Sequence, residues 1–165
     1  MSDFSYPAPR RDTLRRLFNG VNLEGWDFTD RFWSVQDGVI VGKSTAPVLT
    51  STYCLTKQHY TDFRMTCQVK LQESEMHSGI SFWGHVPPPQ HGEDNTYAGH
   101  LVMFPSNWSV FDLLPDPNNA GAHIGRSMIM WDPGVAKRVG HQHDWNDLEI
   151  LALGNRLQVR HPGPC

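Results

Sequence analysis

From position 62 to 72 the chain alternates without a break. Phe63, Met65, Cys67, Val69 and Leu71 take every second place, and Arg64, Thr66, Gln68, Lys70 and Gln72 fill the places between. A helix brings residues three and four apart onto one face, whereas a strand sends successive side chains to opposite faces. This stretch therefore predicts a strand with one buried face. No long segment carries a helical period. Further strands are predicted at residues 48–55, 79–85, 97–104, 108–113, 124–131, 148–153 and 156–161. Turn and breaker residues separate them: Pro87-Pro88-Pro89, Pro105-Ser106-Asn107, Pro115-Asp116-Pro117-Asn118-Asn119, Asp132-Pro133-Gly134 and Gly154-Asn155. Asn19-Gly20 and Asp37-Gly38 are turn signals, because these residues tolerate positive φ. The second divides Trp33-Ser34-Val35 from Val39-Ile40-Val41 and predicts a hairpin. Residues 12–18 read either as one helical turn or as a first strand. Many short strands with Gly and Pro turns predict an all-β fold, an antiparallel sandwich or barrel.

A chain of 165 residues is long enough for one domain with a real core. With no repeat and no linker in view, a single domain over residues 13–165 is expected, preceded by a flexible leader over residues 1–12. The net charge is −3 and no stripe of Lys or Arg stands out, so nucleic acid is not an expected partner. No apolar run approaches the ~20 residues of a membrane helix, so no transmembrane segment is expected. The start lacks a charged-then-apolar secretory layout, which gives a cytoplasmic expectation, or an organelle if the leader is a processed terminus. Cys54, Cys67 and Cys165 form an odd count without CxxC spacing, against a disulfide framework or a cysteine zinc site. Cys67 reads as a small core hydrophobe.

An ordered set of marks resembles a known family. Leu17-Phe18-Asn19-Gly20, Leu23, Gly25-Trp26 and Trp33-Ser34-Val35-Gln36-Asp37-Gly38 are similar to the opening of the 3-keto-disaccharide hydrolase domain family. Leu49-Thr50, Tyr60-Thr61-Asp62-Phe63, Ser78-Gly79-Ile80, Trp145-Asn146, Glu149-Ile150 and Gly154-Asn155-Arg156 continue the pattern in order. The resemblance implies a concanavalin A-like jelly-roll β-sandwich of two curved antiparallel sheets, acting on glycosides oxidised to a ketone at carbon 3. His77 stands where the family usually has asparagine, and His100 takes the place of a glutamate in a Gly-Tyr-Glu segment, here Tyr97-Ala98-Gly99-His100. The chain ends at Cys165, where the family would continue through an Asn-Gly turn into more strands. The expectation is that the family's C-terminal strands are missing and that an open sheet edge is covered by self-association or a protein partner.

Alternation also sorts the residues able to do chemistry. Ile80 and Phe82 share one face of their strand, and Ser81, Trp83 and His85 the other. With Ile80 and Phe82 inward, Trp83 and His85 would line an open concave face with His100. There an indole suits the C–H face of a sugar; the alternative is a half-buried Trp83 packed under a loop. The substrate-binding set is then His77, Trp83, His85 and Tyr97. His100 reads either as a general acid or base or as a structural histidine. Asp112, an acid inside an apolar strand, needs a partner or a pocket unless it points to water from an edge. Together His100 and Asp112 suit the acid/base pair of a glycosidase. His141, His143 and Asp144 could share a divalent metal, or belong to a polar loop before Trp145. His91-Gly92-Glu93-Asp94 reads as a loop, in the role of a lid or as a second place for a metal. No GxSxG, P-loop or dinucleotide fingerprint is present, and no cofactor is predicted beyond that possible metal. Three functions follow: a hydrolase or lyase of 3-keto-glycosides, a non-catalytic carbohydrate-binding module, or an interaction subunit of a larger assembly.

Overall fold

The computed structural model describes residues 13–72, 78–89, 92, 95–104, 109–114, 127–129, 140–141 and 143–161. Among these the architecture is all-β, with only antiparallel pairings and no α-helix. None of the described residues forms a helix long and apolar enough to cross a membrane. The chain divides into two compact units, Met1–Val48 with Cys54–Gln58, and Leu49–Tyr53 with His59–Cys165.

In the first unit β1 (Trp26–Asp27) pairs with β4 (Leu55–Thr56), and β2 (Trp33–Gln36) forms a hairpin with β3 (Val39–Gly42). Asp37 at φ 49° and Gly38 at φ 76° form the left-handed pair that a tight two-residue hairpin turn requires. Asn19 organises the loop before β1: its Oδ1 accepts from the backbone N–H groups of Val21 and Asn22 at 2.8 and 2.9 Å. Trp26 Nε1 donates to the Leu17 carbonyl at 3.2 Å, so the two ends of that loop are tied. Residues 14–18 are neither helix nor strand.

The strand predicted at residues 48–55 forms only at its last position, in β4. β-branched composition favours a strand only where a neighbour pairs and a face is covered. Val48 and Leu49 are both exposed, Leu49 by 77%. Within the second unit, Tyr53 N donates to Asn95 O at 2.8 Å and so ties the end of this segment.

The second unit holds two sheets. One has the order β11-β10-β5, built from β5 (Phe63–Val69), β10 (Asn146–Leu153) and β11 (Arg156–Arg160). The other has the order β6-β7-β8-β9, from β6 (Ser78–His85), β7 (Ala98–Phe104), β8 (Val110–Asp112) and β9 (Ser127–Ile129). Phe82, Val102, Phe104 and Val110 of the second sheet meet Leu148 and Ile150 of the first in one buried cluster, the core of a β-sandwich. β5 keeps its alternation: Phe63, Met65, Cys67 and Val69 pack against that cluster, half-buried, while Arg64, Thr66 and Gln68 face water. Burial pushes the Cys67 thiol up to about 11, as expected of a cysteine acting as a small hydrophobe.

Two polar contacts clamp the first sheet. On the face away from the core, Arg64 of β5 donates through Nε and Nη2 to Glu149 Oε2 of β10, at 3.0 and 2.6 Å, and Arg160 of β11 lies 3.6 Å from Oε1. The β10–β11 hairpin turns at Gly154-Asn155, with Gly154 at φ 57°, and its amide donates to Asp62 Oδ1 at 2.7 Å. Asp62 thus fixes the hairpin tip to the start of β5.

Candidate functional site

The register of the four-stranded sheet lays three side chains in a row. Phe82 of β6 stands opposite His100 of β7, and His100 stands opposite Asp112 of β8. Directly opposed residues of an antiparallel ladder share a face, so all three lie on the core side. The row sits at one end of the core, next to the pairs Ile80–Val102 and Val102–Val110. His100 Nδ1 is 3.8 Å from Asp112 Oδ1, with side chains 18% and 16% exposed. Among the described residues His100 Nδ1 is buried with no hydrogen-bond partner. Asp112 is held in place because its Oδ1 accepts from Leu114 N at 3.0 Å.

A β-bulge completes this end. Phe82 pairs with His100 and His85 with Ala98, so Trp83 and Gly84 together oppose Gly99. Trp83 adopts φ 51°, a left-handed conformation that is an outlier for a bulky residue. The extra residue reverses the alternation. Trp83 turns to the side of Phe82, packs against the core cluster, and meets the Phe82 and His100 rings edge-on, at 5.6 and 6.1 Å between centroids. The expectation of Trp83 and His100 on an open face opposite Phe82 is corrected accordingly: both share the inward side, and Trp83 is the half-buried, packed residue. Its Nε1 donates to Thr61 O at 2.7 Å.

Two glycines permit the bulge. A Cβ on Gly84 would lie 1.9 Å from Ala98 O, and one on Gly99 would lie 2.8 Å from Phe82 O. Tyr97 borders it: its hydroxyl accepts from Gly84 N at 2.8 Å, and its ring lies 5.9 Å from that of Tyr53. Burial, the largest influence, pushes the Tyr97 phenol above its ordinary value, against the Gly84 bond that lowers it. Sequence reading missed Tyr53, Thr61 and the bulge. The available signal was a glycine inside each of two apolar strands, which often marks a bulge or a close backbone approach.

The other predicted residues lie apart from this group. His85 is exposed at the end of β6, and His77 lies outside the described residues. His141, His143 and Asp144 do not converge. His143 directs Nδ1 to the carbonyls of Leu71 and Gln72, at 3.2 and 3.1 Å, and Asp144 Oδ1 accepts from Trp145 N. Among the described residues no group of three or more His, Cys, Asp or Glu is arranged to hold a metal; of His91-Gly92-Glu93-Asp94 only Gly92 is described.

The organiser of this loop is Asn146, buried at the start of β10. Its Oδ1 accepts from His141 N at 2.6 Å, and its Nδ2 donates to the carbonyls of His141 and Asp144 at 2.7 and 2.8 Å. His161 Nε2 also donates to that Oδ1, at 3.3 Å; burial first, then the neighbouring His141, hold His161 below its ordinary value. An Asn146→Ala variant leaves three backbone groups without these partners and should lose about 1–3 kcal/mol in denaturant unfolding. An unchanged midpoint would show that the loop is held by something else.

A search among curated proteins gives no match to this chain. The family model of a 3-keto-alpha-glucoside-1,2-lyase-like domain matches residues 13–164. The match spans the marks read from the sequence, and several of these are turns and staples of the fold: Asn19, Asp37-Gly38, Asp62 with Gly154, and Asn146. The chain belongs to the 3-keto-alpha-glucoside-1,2-lyase-like domain family, a family of carbohydrate-related domains.

Proposed function

We propose that this domain cleaves the glycosidic bond of a 3-keto-glycoside, with His100 as the base and Asp112 as the group that orients and stabilises it. The observation that carries the reading is the His100–Asp112 pair, its buried Nδ1 facing a carboxylate 3.8 Å away across adjacent strands. Such contacts tighten when substrate binds.

The chemistry suits the substrate that the family name describes. A ketone at C3 acidifies the C2 proton. Neutral His100 takes that proton through Nε2, the electrons form a C1–C2 double bond, and the C1–O bond breaks. The departing oxygen is protonated by the imidazolium or by water. Drawn closer as substrate binds, Asp112 accepts from Nδ1–H and stabilises the charge that develops on the ring, as an orienting carboxylate does elsewhere. Phe82 and Trp83 keep one side of the imidazole dry.

The test follows a 3-keto-glucoside by NMR in deuterated buffer. Turnover with an unsaturated C1–C2 product is the expected result, and Asp112→Asn should lower it on the order of 10²-fold, within the usual worth of an acid–base group. Binding of the glycoside without turnover would overturn the reading in favour of a carbohydrate-binding module. Neither binding nor turnover would favour an interaction subunit.

A further inference from the structure

We infer that the Trp83–Gly84 bulge is a positioning device for the His100 imidazole, and that the Tyr97 hydroxyl is the residue that locks it. A large side chain in the left-handed region is strained and persists only where its surroundings over-determine it. Here they do so from several directions. The indole N–H is bound by Thr61 O at 2.7 Å, and the next amide, Gly84 N–H, is bound by the Tyr97 hydroxyl at 2.8 Å. Gly84 and Gly99 are stripped of side chains where any Cβ would collide with the backbone across the ladder.

The consequence falls on one residue. An unbulged ladder would send Trp83 to the opposite face, leaving His100 with Phe82 alone at its side. The bulge instead brings the indole edge-on to the imidazole at 6.1 Å and 78°, while Phe82 meets the imidazole at 6.2 Å and 63°. The two aromatic rings, in contact with each other, back one side of the imidazole, with Nδ1 toward Asp112. A ring so held has few rotamers to lose when it acts, which is how a positioning residue contributes to rate. Tyr97 touches the bulge backbone rather than His100, so its effect passes through the bulge.

The role in turnover rests on the reading of His100 as the base; the positioning itself is tested without activity. Ring ¹⁵N signals of the histidines are recorded at fixed pH, and those of His100 are identified by their loss in His100→Gln. In Tyr97→Phe, Gly84 N–H loses its acceptor, and the His100 ring signals should shift or broaden. Tyr53→Phe removes a hydroxyl from the same aromatic pair without touching the bulge and should leave them in place. On a 3-keto-glucoside, Tyr97→Phe should lower kcat roughly 10-fold with KM little changed, as misorientation does. His100 signals identical to wild type in folded Tyr97→Phe would overturn the inference, whatever the activity. Moved signals in a protein that turns over no 3-keto-glycoside would uphold it while sinking the proposed reaction. Should Tyr97→Phe fail to fold, Trp83→Phe, which keeps a ring but deletes the N–H to Thr61, carries the same expectation and the same overturning result.

Discussion

Phe82→Ala should cost about 3–5 kcal/mol of stability, the usual loss for a buried phenylalanine truncated to a methyl group. Phe82 is 6% exposed and belongs to the buried cluster where the two sheets of the second unit meet. Its ring also lies edge-on to Phe63 of the opposing sheet at 6.0 Å, and to Trp83 and His100 of its own sheet at 5.6 and 6.2 Å. Removing it opens a cavity and unseats three rings at once, so the loss should fall in the upper half of that range. Trp83→Ala should cost less, since its ring is half-buried. It should still destabilise measurably, because it abandons packing on the core and the bond to Thr61 O. Denaturant midpoints of the two variants decide the matter. A larger loss for Trp83 than for Phe82 would show that the core is centred on the wrong ring.

That comparison turns on what alternation can and cannot reveal. On β5 it was sufficient: a seven-residue strand pairs in continuous register with β10, so each second side chain packs against the core. The hairpin at Asp37-Gly38 was legible because the backbone there needs positive φ, and few residues supply it cheaply. On β6 the same logic held through Phe82 and failed one residue later. A bulge is a property of the register between two strands, and Gly99 lies far along the chain from Trp83, so no period within residues 78–85 contains it. Residues 48–55 failed for a related reason. Their composition suits a strand, but a strand needs a partner edge, and of the described pairings only that of Leu55, which continues into Thr56, gives them one.

The candidate site was legible by chemistry rather than by geometry. Asp112 stood out as a carboxylate in an apolar strand, and His100 as an imidazole in another; that they are direct neighbours across the ladder follows only from the fold. Of the histidines at positions 141 and 143, spacing suggested a shared metal. The left-handed φ of 62° at His143 instead accompanies a ring set on the carbonyls of Leu71 and Gln72. The Trp-Asn pair that marks the family has a structural explanation too, since Asn146 supplies the loop's internal bonds.

On the proposed reaction, His100→Ala should leave a folded protein whose turnover of a 3-keto-glycoside is lowered roughly 10²–10⁴-fold, the range spanned by loss of a general base. The fold should survive because the imidazole side chain is partly exposed at the end of the core, and because Phe82 and Trp83 keep their contact with each other when it is gone. The space it leaves is bounded by those two rings and by Asp112, which suits a small aromatic base. Free imidazole added to His100→Ala should therefore restore part of the lost rate, whereas His100→Gln, which fills the space without a proton acceptor, should be slow and refractory to rescue. Circular dichroism and denaturant midpoints establish that each variant is folded before rates are compared. Rescue confined to the alanine variant separates a lost base from a damaged site, since a distorted site would gain nothing from imidazole. Retention of more than about a tenth of the wild-type rate in folded His100→Ala falls short of the range a general base supplies and would place the base elsewhere in the chain.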